Sequence, residues 1–282
     1  MNFKILNIFK KSDPFTVFAG LNGGPPILMK NHYGKYNETE SYDFVRYNVA
    51  FNNWYERTKE NFREQFKSVQ ILEITPFGNI SNNKGFIYIN AQVVNDRELP
   101  GIALIRGNSV AALVLLVNEL DHDDVYVLTV IQPRVPGGVT EYEEMISGMT
   151  DGDTFQSALQ KEVYEETCSN GKSDGIDLSK HKCEQLGTIH PSIGGCDEMV
   201  QLSLITINCS VEQIREYEGK FAGNIEESET IRLKVRRLKE FICEVQRDLI
   251  SDAKIKSALF HYMMEYHTIS GGKKRKRVSL FK

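Results

Sequence analysis

The chain has 282 residues, of which 41% are hydrophobic and 26% are charged, so it can build the core of one large or two smaller globular domains. Its formal net charge of −4 excludes a general nucleic-acid-binding protein, which would be strongly basic. Its apolar runs stay shorter than the roughly 18 residues of a transmembrane helix, so we expect no membrane span.

The predicted elements alternate strands with a few helices. The composition of residues 1–45, rich in Gly, Pro, Asn and Tyr, predicts an irregular or partly ordered N-terminal arm. Periodicity predicts helices over Tyr47 to Lys67, Thr154 to Thr167, Val211 to Glu218 and Asp252 to His267. It predicts strands over Val69 to Pro76, Gly85 to Val94, Ile102 to Ile105, Val110 to Val117, Val125 to Gln132, Leu186 to His190, Val200 to Ile207 and Thr230 to Arg237. This order indicates an α+β protein with a mixed sheet or an αβα sandwich.

The five cysteines are an odd number and form no CxxC pair. This pattern argues against a disulfide framework and against a zinc knuckle. A reducing compartment, the cytoplasm, is therefore the expected location. The basic run from Lys273 to Arg277 makes the nucleus an alternative, although such a run is also typical of a solubilising tail.

Three carboxylates stand together in the predicted helix from Thr154 to Thr167. Glu162, Glu165 and Glu166 are spaced i, i+3 and i+4, so they lie on one face of that helix. Like charges at these spacings destabilise a helix by a few tenths of a kcal/mol per pair, roughly, and therefore favour a counter-charge. Carboxylate oxygens suit a hard cation such as Mg²⁺ or Mn²⁺. The pattern therefore indicates metal-dependent chemistry on phosphate groups.

The segment from Gly148 to Cys168 resembles the Nudix box, which reads Gly, five residues, Glu, seven residues, Arg-Glu-aliphatic-x-Glu-Glu-x-Gly. The three glutamates fill its carboxylate positions. Lys161 stands where Arg is usual, Asp153 replaces the first Glu, and Cys168 replaces the closing Gly. The segment is one residue short, so Ser147 takes the opening Gly position.

Flanking segments resemble the ADP-ribose and ADP-sugar pyrophosphatases of this superfamily, with the plant-type ADP-sugar diphosphatases most similar. The resemblance covers roughly residues 50 to 267. The matching segments are Pro100 to Ile102, Arg106 to Val110, Gln132 to Pro136, Glu144 to Met149, Pro191 to Glu198 and Gly223 to Ile231.

This resemblance implies roles for individual residues. The divalent metal, Mg²⁺ or Mn²⁺, would be held by Glu162, Glu165, Glu166 and the backbone carbonyl of Ser147. The catalytic candidates are Glu229 as the base that activates water, Glu227 as the second choice, and the metal-binding Glu165. The substrate would be contacted by Arg106, Arg134, Glu144, Gly195 and Glu198. Lys161 would pair with a box carboxylate, as a point charge without the bidentate fork of Arg.

The resemblance also implies the Nudix αβα sandwich with a mixed sheet over residues 101–268, followed by a basic tail over 269–282. A smaller subdomain of a helix and antiparallel strands over residues 46–100 would precede it and form a homodimer. We expect a metal-dependent pyrophosphohydrolase that cleaves a nucleotide sugar, ADP-ribose or ADP-glucose, with neither membrane nor nucleic acid as a partner. The alternatives are a Nudix hydrolase acting on UDP-glucose, dinucleoside polyphosphate or capped RNA, and a nucleotide-sugar sensor without activity.

Overall fold

A computed structural model describes residues 15–30, 32–169, 172–223 and 231–266 of the chain. The chain divides into two compact units. Unit 1 comprises residues 1–107 and 192–198, and unit 2 comprises residues 108–191 and 199–282. The loop with Glu227 and Glu229 and the basic tail lie outside the described residues. In the described ranges, no helix is both long enough and apolar enough to cross a membrane.

Unit 1 is built from strands and two helices. Its helices are α1 (Glu38–Tyr47) and α2 (Val49–Phe62). Its strands are β1 (Phe15–Phe18), β2 (Ile27–Lys30), β3 (His32–Tyr33), β4 (Tyr36–Asn37), β5 (Phe66–Pro76), β6 (Gly85–Val94), β7 (Glu98–Leu99) and β8 (Ile102–Ile105). The main sheet has the order β1-β2-β5-β6-β7, with β8 also paired to β6. Because β2 runs parallel to β5, the sheet as a whole is mixed. The strands within residues 46–100, β5, β6 and β7, pair antiparallel as expected.

The expectation of an irregular or partly ordered arm over residues 1–45 was wrong for much of its described part. Ile27 and Met29 of β2 are fully buried. This apolar run is too short to show the periodicity from which a strand is predicted. Helix α1 begins with a capping box in which Asn37 and Glu40 satisfy each other's backbone N–H groups. Phe44 then anchors α1 in the core of unit 1, so packing orders a segment whose composition alone suggested a loop.

The predicted helix from Tyr47 to Lys67 is shorter in the structure. Asn48 caps α2 by accepting a hydrogen bond from the Phe51 N–H at 2.9 Å, and its amide donates to the carbonyl oxygens of Asn83 and Gly85. The helix ends at Phe62, and the next residue, Arg63, has a positive φ of 47°. Phe66 is already part of β5 and lies in the core, because burial of its ring outweighs the weak helical pattern.

Unit 2 contains a second sheet with helices on both faces. Its helices are α3 (Phe155–Thr167), α4 (Val211–Tyr217), α5 (Leu238–Gln246) and α6 (Ala253–Tyr266). Its strands are β9 (Ser109–Asn118), β10 (Val125–Arg134), β11 (Val139–Glu144), β12 (Ile146–Met149), β13 (Lys182–Ile189), β14 (Val200–Cys209), β15 (Phe221–Ala222) and β16 (Ile231–Arg237). The sheet order is β13-β14-β9-β10-β16-β15. The β14–β9 pair is parallel and the other pairs are antiparallel, so the sheet is mixed as predicted.

Two separate cores cover the faces of this sheet. Residues of α3 and α4, such as Leu159 and Ile214, pack on one face. Residues of α5 and α6, such as Phe241 and Ile255, pack on the other. Unit 2 is therefore the αβα sandwich that was predicted.

Strands β9 and β10 separate near the middle of the sheet. They pair from Val117 opposite Val125 to Val114 opposite Leu128. Beyond that point β9 pairs with β12 and β10 pairs with β11. Met145 joins β11 to β12 and is buried. The β11–β12 corner therefore lies where the two central strands separate, and the candidate site is built around it.

Candidate active site

Helix α3 presents the carboxylates. Thr154 caps its N-terminus by accepting a hydrogen bond from the Ser157 N–H at 3.2 Å. Ala158, Leu159 and Val163 bury one side of the helix against the sheet. This burial fixes the rotation of α3, so the positions of the three glutamates follow from the packing of its apolar side.

Glu166 is held directly against strand β12. Its side chain is nearly inaccessible, at 4% relative exposure. Its Oε2 accepts a hydrogen bond from the backbone N–H of Ser147 at 3.2 Å. A buried carboxylate with a backbone donor is held in place while it keeps further lone pairs for other partners. The structure thus brings together Glu166 and Ser147, both predicted from the box.

Glu162 lies against the next residue of the same strand. A Cβ atom added to Gly148 would lie 1.9 Å from the Glu162 carboxyl carbon and 2.1 Å from its Oε2. Only glycine leaves this space open to the carboxylate. Glu162 and Glu166 therefore approach consecutive residues of β12, which places two of the predicted metal ligands at one short stretch of backbone.

Glu165 makes a different contact. Its Oε2 lies 3.8 Å from the Lys161 Nζ one helical turn earlier, and both side chains are partly exposed. Lys161 thus pairs with a box carboxylate, as expected. Across the described ranges no group of three or more His, Cys, Asp or Glu side chains is arranged to hold a metal ion. The donors present at β12 are carboxylate oxygens, which fit Mg²⁺ or Mn²⁺ in kind and do not fit a soft metal.

A chain of charged groups leads from the exposed Arg134 into the protein. Arg134 Nε donates to Glu144 Oε1 at 2.6 Å. Lys254 Nζ donates to Glu144 Oε2 at 3.0 Å and lies 3.4 Å from Asp252 Oδ1. Asp252 Oδ2 accepts the Met145 N–H at 3.2 Å. The chain of contacts therefore ends at Met145 in the β11–β12 corner, two residues before Ser147 in the sequence, or about 7 Å of extended strand.

This chain is mostly buried. The side chain of Glu144 is 3% exposed, that of Lys254 is 18% exposed and that of Arg134 is 44% exposed. Burial alone would lower the pKa of Lys254, but the Asp252 and Glu144 carboxylates outweigh it and raise that pKa. Lys254 is therefore a permanent cation behind Glu144. Sequence reasoning found Arg134 and Glu144 but missed Lys254 and Asp252, whose only sequence signal is that of a helix start.

A neighbouring carboxylate, Glu143, has a structural role. Both of its oxygens accept hydrogen bonds from the Arg236 guanidinium, and Thr129 Oγ1 donates to it at 2.7 Å. Burial would raise the pKa of Glu143, but these hydrogen bonds outweigh burial and lower it. Arg236 Nε also pairs with Glu244 at 3.1 Å. Glu143 thus ties β11 to β16 and α5.

The remaining predicted substrate residues lie in unit 1. The Arg106 Nη2 lies 3.4 Å from Glu198 Oε1, and the Arg106 guanidinium lies 5.6 Å from the centre of the Phe86 ring. Asp197 Oδ1 accepts the N–H groups of Arg106 and Gly107 at 2.8 and 3.1 Å. These bonds fix residues 192–198 beside the end of β8.

Gly195 lines a cavity of about 400 Å³ within unit 1. Helix α2 contributes Trp54 and Arg57 to its wall, and residues 99–103 contribute another part. The Gly195 carbonyl accepts the Leu104 N–H at 2.9 Å, which ties the loop to β8. The cavity is in the size range of small-molecule pockets. Arg106 and Glu198 pair with each other in unit 1, where Gly195 lines the cavity. Arg134, Glu144 and the box residues belong to unit 2.

The two base candidates, Glu229 and Glu227, lie outside the described residues, so their role stays a prediction. The five cysteines all lie in described parts of the chain and are free thiols. Burial raises the pKa of Cys183 to about 12 and that of Cys209 to about 11, so these two thiols are unreactive near neutral pH.

Comparison with known proteins gave two relevant similarities. No family model matches the chain. A curated plant protein, "Nudix hydrolase 14, chloroplastic" from Arabidopsis thaliana, is 31% identical over 205 residues, which make up 70% of this chain. The chain spans 62% of that relative's length. A solved structure described as "Crystal structure of ADP compounds hydrolase" aligns with 72% of this chain and 97% of its own, at 12% identity and a TM-score of 0.42.

Proposed function

We propose that the chain is a Nudix hydrolase, which its 31% identity to the plant Nudix relative supports, and that it is a pyrophosphohydrolase that requires a divalent cation and cleaves the diphosphate of a nucleotide sugar. ADP-ribose and ADP-glucose are the proposed substrates. The observation that carries the proposal is the convergence of Glu162 and Glu166 on Ser147 and Gly148 of strand β12. The products would be a nucleoside monophosphate and a sugar phosphate.

The two carboxylates at β12 would hold Mg²⁺ or Mn²⁺, together with Glu165 and the Ser147 carbonyl. When bound, such a cation neutralises negative charge on the diphosphate and on the group that leaves. Lys161 is placed to restrain Glu165 through their 3.8 Å contact. A single exposed pair of this kind is worth little by itself, so Glu165 can turn towards a cation without a large loss.

Arg134 would bind the diphosphate. Its partly exposed guanidinium is anchored by Glu144 through Nε, and guanidinium groups pair well with phosphate oxygens. The resemblance also assigns Arg106, Gly195 and Glu198 to substrate binding. Glu144, which the resemblance names as well, is buried with both oxygens bound by Arg134 and Lys254, so it would act on the substrate through Arg134. Support for the adenine nucleotide comes from the resemblance of the flanking segments to ADP-sugar pyrophosphatases, not from a contact in the structure.

The reaction would be an in-line attack of water on one phosphorus. The water oxygen forms a bond to that phosphorus, the bridging P–O bond breaks, and the electron pair leaves with the other phosphate. Glu229, or Glu227 in its place, would accept the proton from water. The segment from Gly223 to Ile231 carries three carboxylates, Glu226, Glu227 and Glu229, so mutagenesis must identify the base.

A sensor without activity is a second candidate. It is favoured by the shortened box and by Lys161 at the position where Arg is usual. Retention of all three box glutamates argues against it, since a protein that only binds nucleotide sugars does not need them. The two candidates differ in turnover and not in binding.

A panel assay separates these possibilities. Purified protein with Mg²⁺ or Mn²⁺ would be incubated with ADP-ribose, ADP-glucose, UDP-glucose, a dinucleoside polyphosphate and capped RNA, and the nucleotide products read by chromatography. AMP from an ADP-sugar supports the main proposal and ranks the sugars. Faster turnover of another compound would identify that compound as the substrate instead of an ADP-sugar. Binding measured by calorimetry without turnover of any compound would support the sensor.

We also propose a homodimer formed through unit 1, in a reducing compartment such as the cytoplasm. The dimer rests on the resemblance alone, and the compartment on the free cysteines. Sedimentation velocity of the full chain measures the oligomeric state directly. A monomer at micromolar concentration would contradict the dimer without affecting the proposed chemistry.

A further inference from the structure

We propose that Lys254 is a positioning residue for the substrate-binding arginine: it fixes Glu144, and Glu144 in turn holds Arg134 in place for the diphosphate. This inference rests on the proposed function. It assigns a role to a buried lysine that stands 120 residues after Arg134 in the chain and outside every motif recognised in the sequence.

The first support is the sharing of the Glu144 carboxylate between two cations. Lys254 Nζ binds Oε2 at 3.0 Å, and Arg134 Nε binds Oε1 at 2.6 Å. Lys254 is the more buried cation and Arg134 is the more exposed one. Glu144 therefore has one oxygen fixed from inside the protein and the other directed at the guanidinium that would meet substrate.

The second support is charge balance. Arg134, Lys254, Glu144 and Asp252 form a neutral group of two cations and two carboxylates. A buried carboxylate without sufficient positive charge nearby takes up a proton or moves towards water. Without the Lys254 charge, Glu144 would keep only the partly exposed Arg134, and the geometry of that pair would relax.

The third support separates this role from the folding of α6. Asp252 already accepts the N–H groups of Met145 at 3.2 Å and of Lys254 at 3.0 Å. The second of these bonds uses the Lys254 backbone, which any residue other than proline supplies. The Lys254 ammonium is therefore not needed for the helix start. It contacts Asp252 Oδ1 at 3.4 Å, where the backbone N–H already binds, and its shorter contact, at 3.0 Å, is the one to Glu144.

The test compares Lys254→Met with Lys254→Arg, and uses Lys256→Met as the matched control. Lys256 lies on the same helix but pairs with the exposed Asp248. Loss of an outer partner that orients a binding group costs about 10- to 100-fold in well-studied metal sites. We expect Lys254→Met to raise KM for ADP-ribose on that scale with a much smaller change in kcat, Lys254→Arg to recover part of the loss, and Lys256→Met to match wild type.

A double-mutant cycle with Arg134→Ala gives a readout that general destabilisation does not produce. If Lys254 acts through Arg134, adding Lys254→Met to Arg134→Ala costs little more in KM. Equal effects of Lys254→Met in both backgrounds would overturn the proposal, as would a fall in kcat at unchanged KM.

The α,β-methylene analogue of ADP-ribose resists hydrolysis. Its binding, measured by calorimetry, distinguishes a failure of the proposed role of Lys254 from a failure of the proposed function. Weaker binding by Lys254→Met than by wild type supports the role of Lys254 whether or not the protein turns over. Equal binding overturns that role and leaves the proposed function intact. If wild type neither binds the analogue nor hydrolyses any nucleotide sugar, the proposed function fails, and the role of Lys254 fails with it.

Discussion

The carboxylate of Glu162 fills the space in which a side chain on residue 148 would begin. A Cβ atom on Gly148 would lie within 2.3 Å of both Glu162 oxygens. Because Gly148 is part of strand β12 and Glu162 is part of helix α3, this close approach fixes how near the carboxylate can come to the backbone of the entry strand. Glycine at this position thus sets how closely Glu162 approaches β12 in the proposed metal site.

Gly148→Ala is therefore expected to weaken metal binding much more than folding. The new methyl group displaces a flexible carboxylate end, so the free energy of unfolding should change little, while the displaced Glu162 loses its place at β12. Mn²⁺ titration followed by electron paramagnetic resonance measures the affinity. Gly137→Ala is the control, because the nearest atom to its new Cβ is 3.8 Å away. Unchanged Mn²⁺ affinity in Gly148→Ala would remove Glu162 from the proposed ligand set.

Glu166→Gln should abolish turnover while the protein stays folded. The amide oxygen of Gln can still accept the Ser147 N–H, but the negative charge is lost. Since a bound cation supplies several kcal/mol to such a reaction, we expect kcat to fall by about 100-fold or more. Glu216→Gln on the exposed side of α4 is the control. Full activity in Glu166→Gln would show that the site is assigned wrongly.

Asp252→Ala should destabilise unit 2. It removes the acceptor for the Met145 N–H, which is buried, and for the Lys254 N–H. Leaving such groups unsatisfied costs about 1–3 kcal/mol. Urea unfolding followed by circular dichroism measures the loss, with Asp123→Ala in an exposed turn as the control. A change equal to that of the control would mean that the β11–β12 corner does not depend on this contact.

Glu143 should make stability depend on pH in acid. Its folded-state pKa lies below the ordinary value because Arg236 and Thr129 hydrogen bonds outweigh burial. A lowered folded pKa stabilises the protein above the unfolded pKa of about 4.3 and loses this effect as pH falls through the folded value. We predict that Glu143→Gln is less stable than wild type at pH 7 and that the difference shrinks below about pH 4. A difference independent of pH would contradict the assignment.

Much of unit 2 could be predicted because its strands and helices carry long regular patterns. The helix with the three box glutamates and strands such as Gly85–Val94 in unit 1 occur almost as predicted. Helix α5 was missed because it follows β16 without a break, although Leu238, Phe241 and Val245 have helical spacing and are buried. Strands β11 and β12 were missed because they are short and polar.

The charged chain behind Arg134 could not be predicted in this way. The contact between Glu144 and Lys254 joins residues 110 apart in the sequence. Neither residue type nor spacing indicates it, since a lysine near the start of a helix is usually exposed. In the same way, only the structure shows that residues 192–198 return to unit 1, because that loop interrupts a segment otherwise part of unit 2.

The most direct test of the central claim is the product analysis of ADP-ribose incubated with wild-type protein and Mg²⁺, before and after addition of a chelator. The proposed site predicts AMP and ribose 5-phosphate in equal amounts, with release stopped by the chelator, restored by excess Mg²⁺, and absent from Glu166→Gln throughout. AMP release that persists in the chelator or in Glu166→Gln would contradict the proposed metal-dependent site.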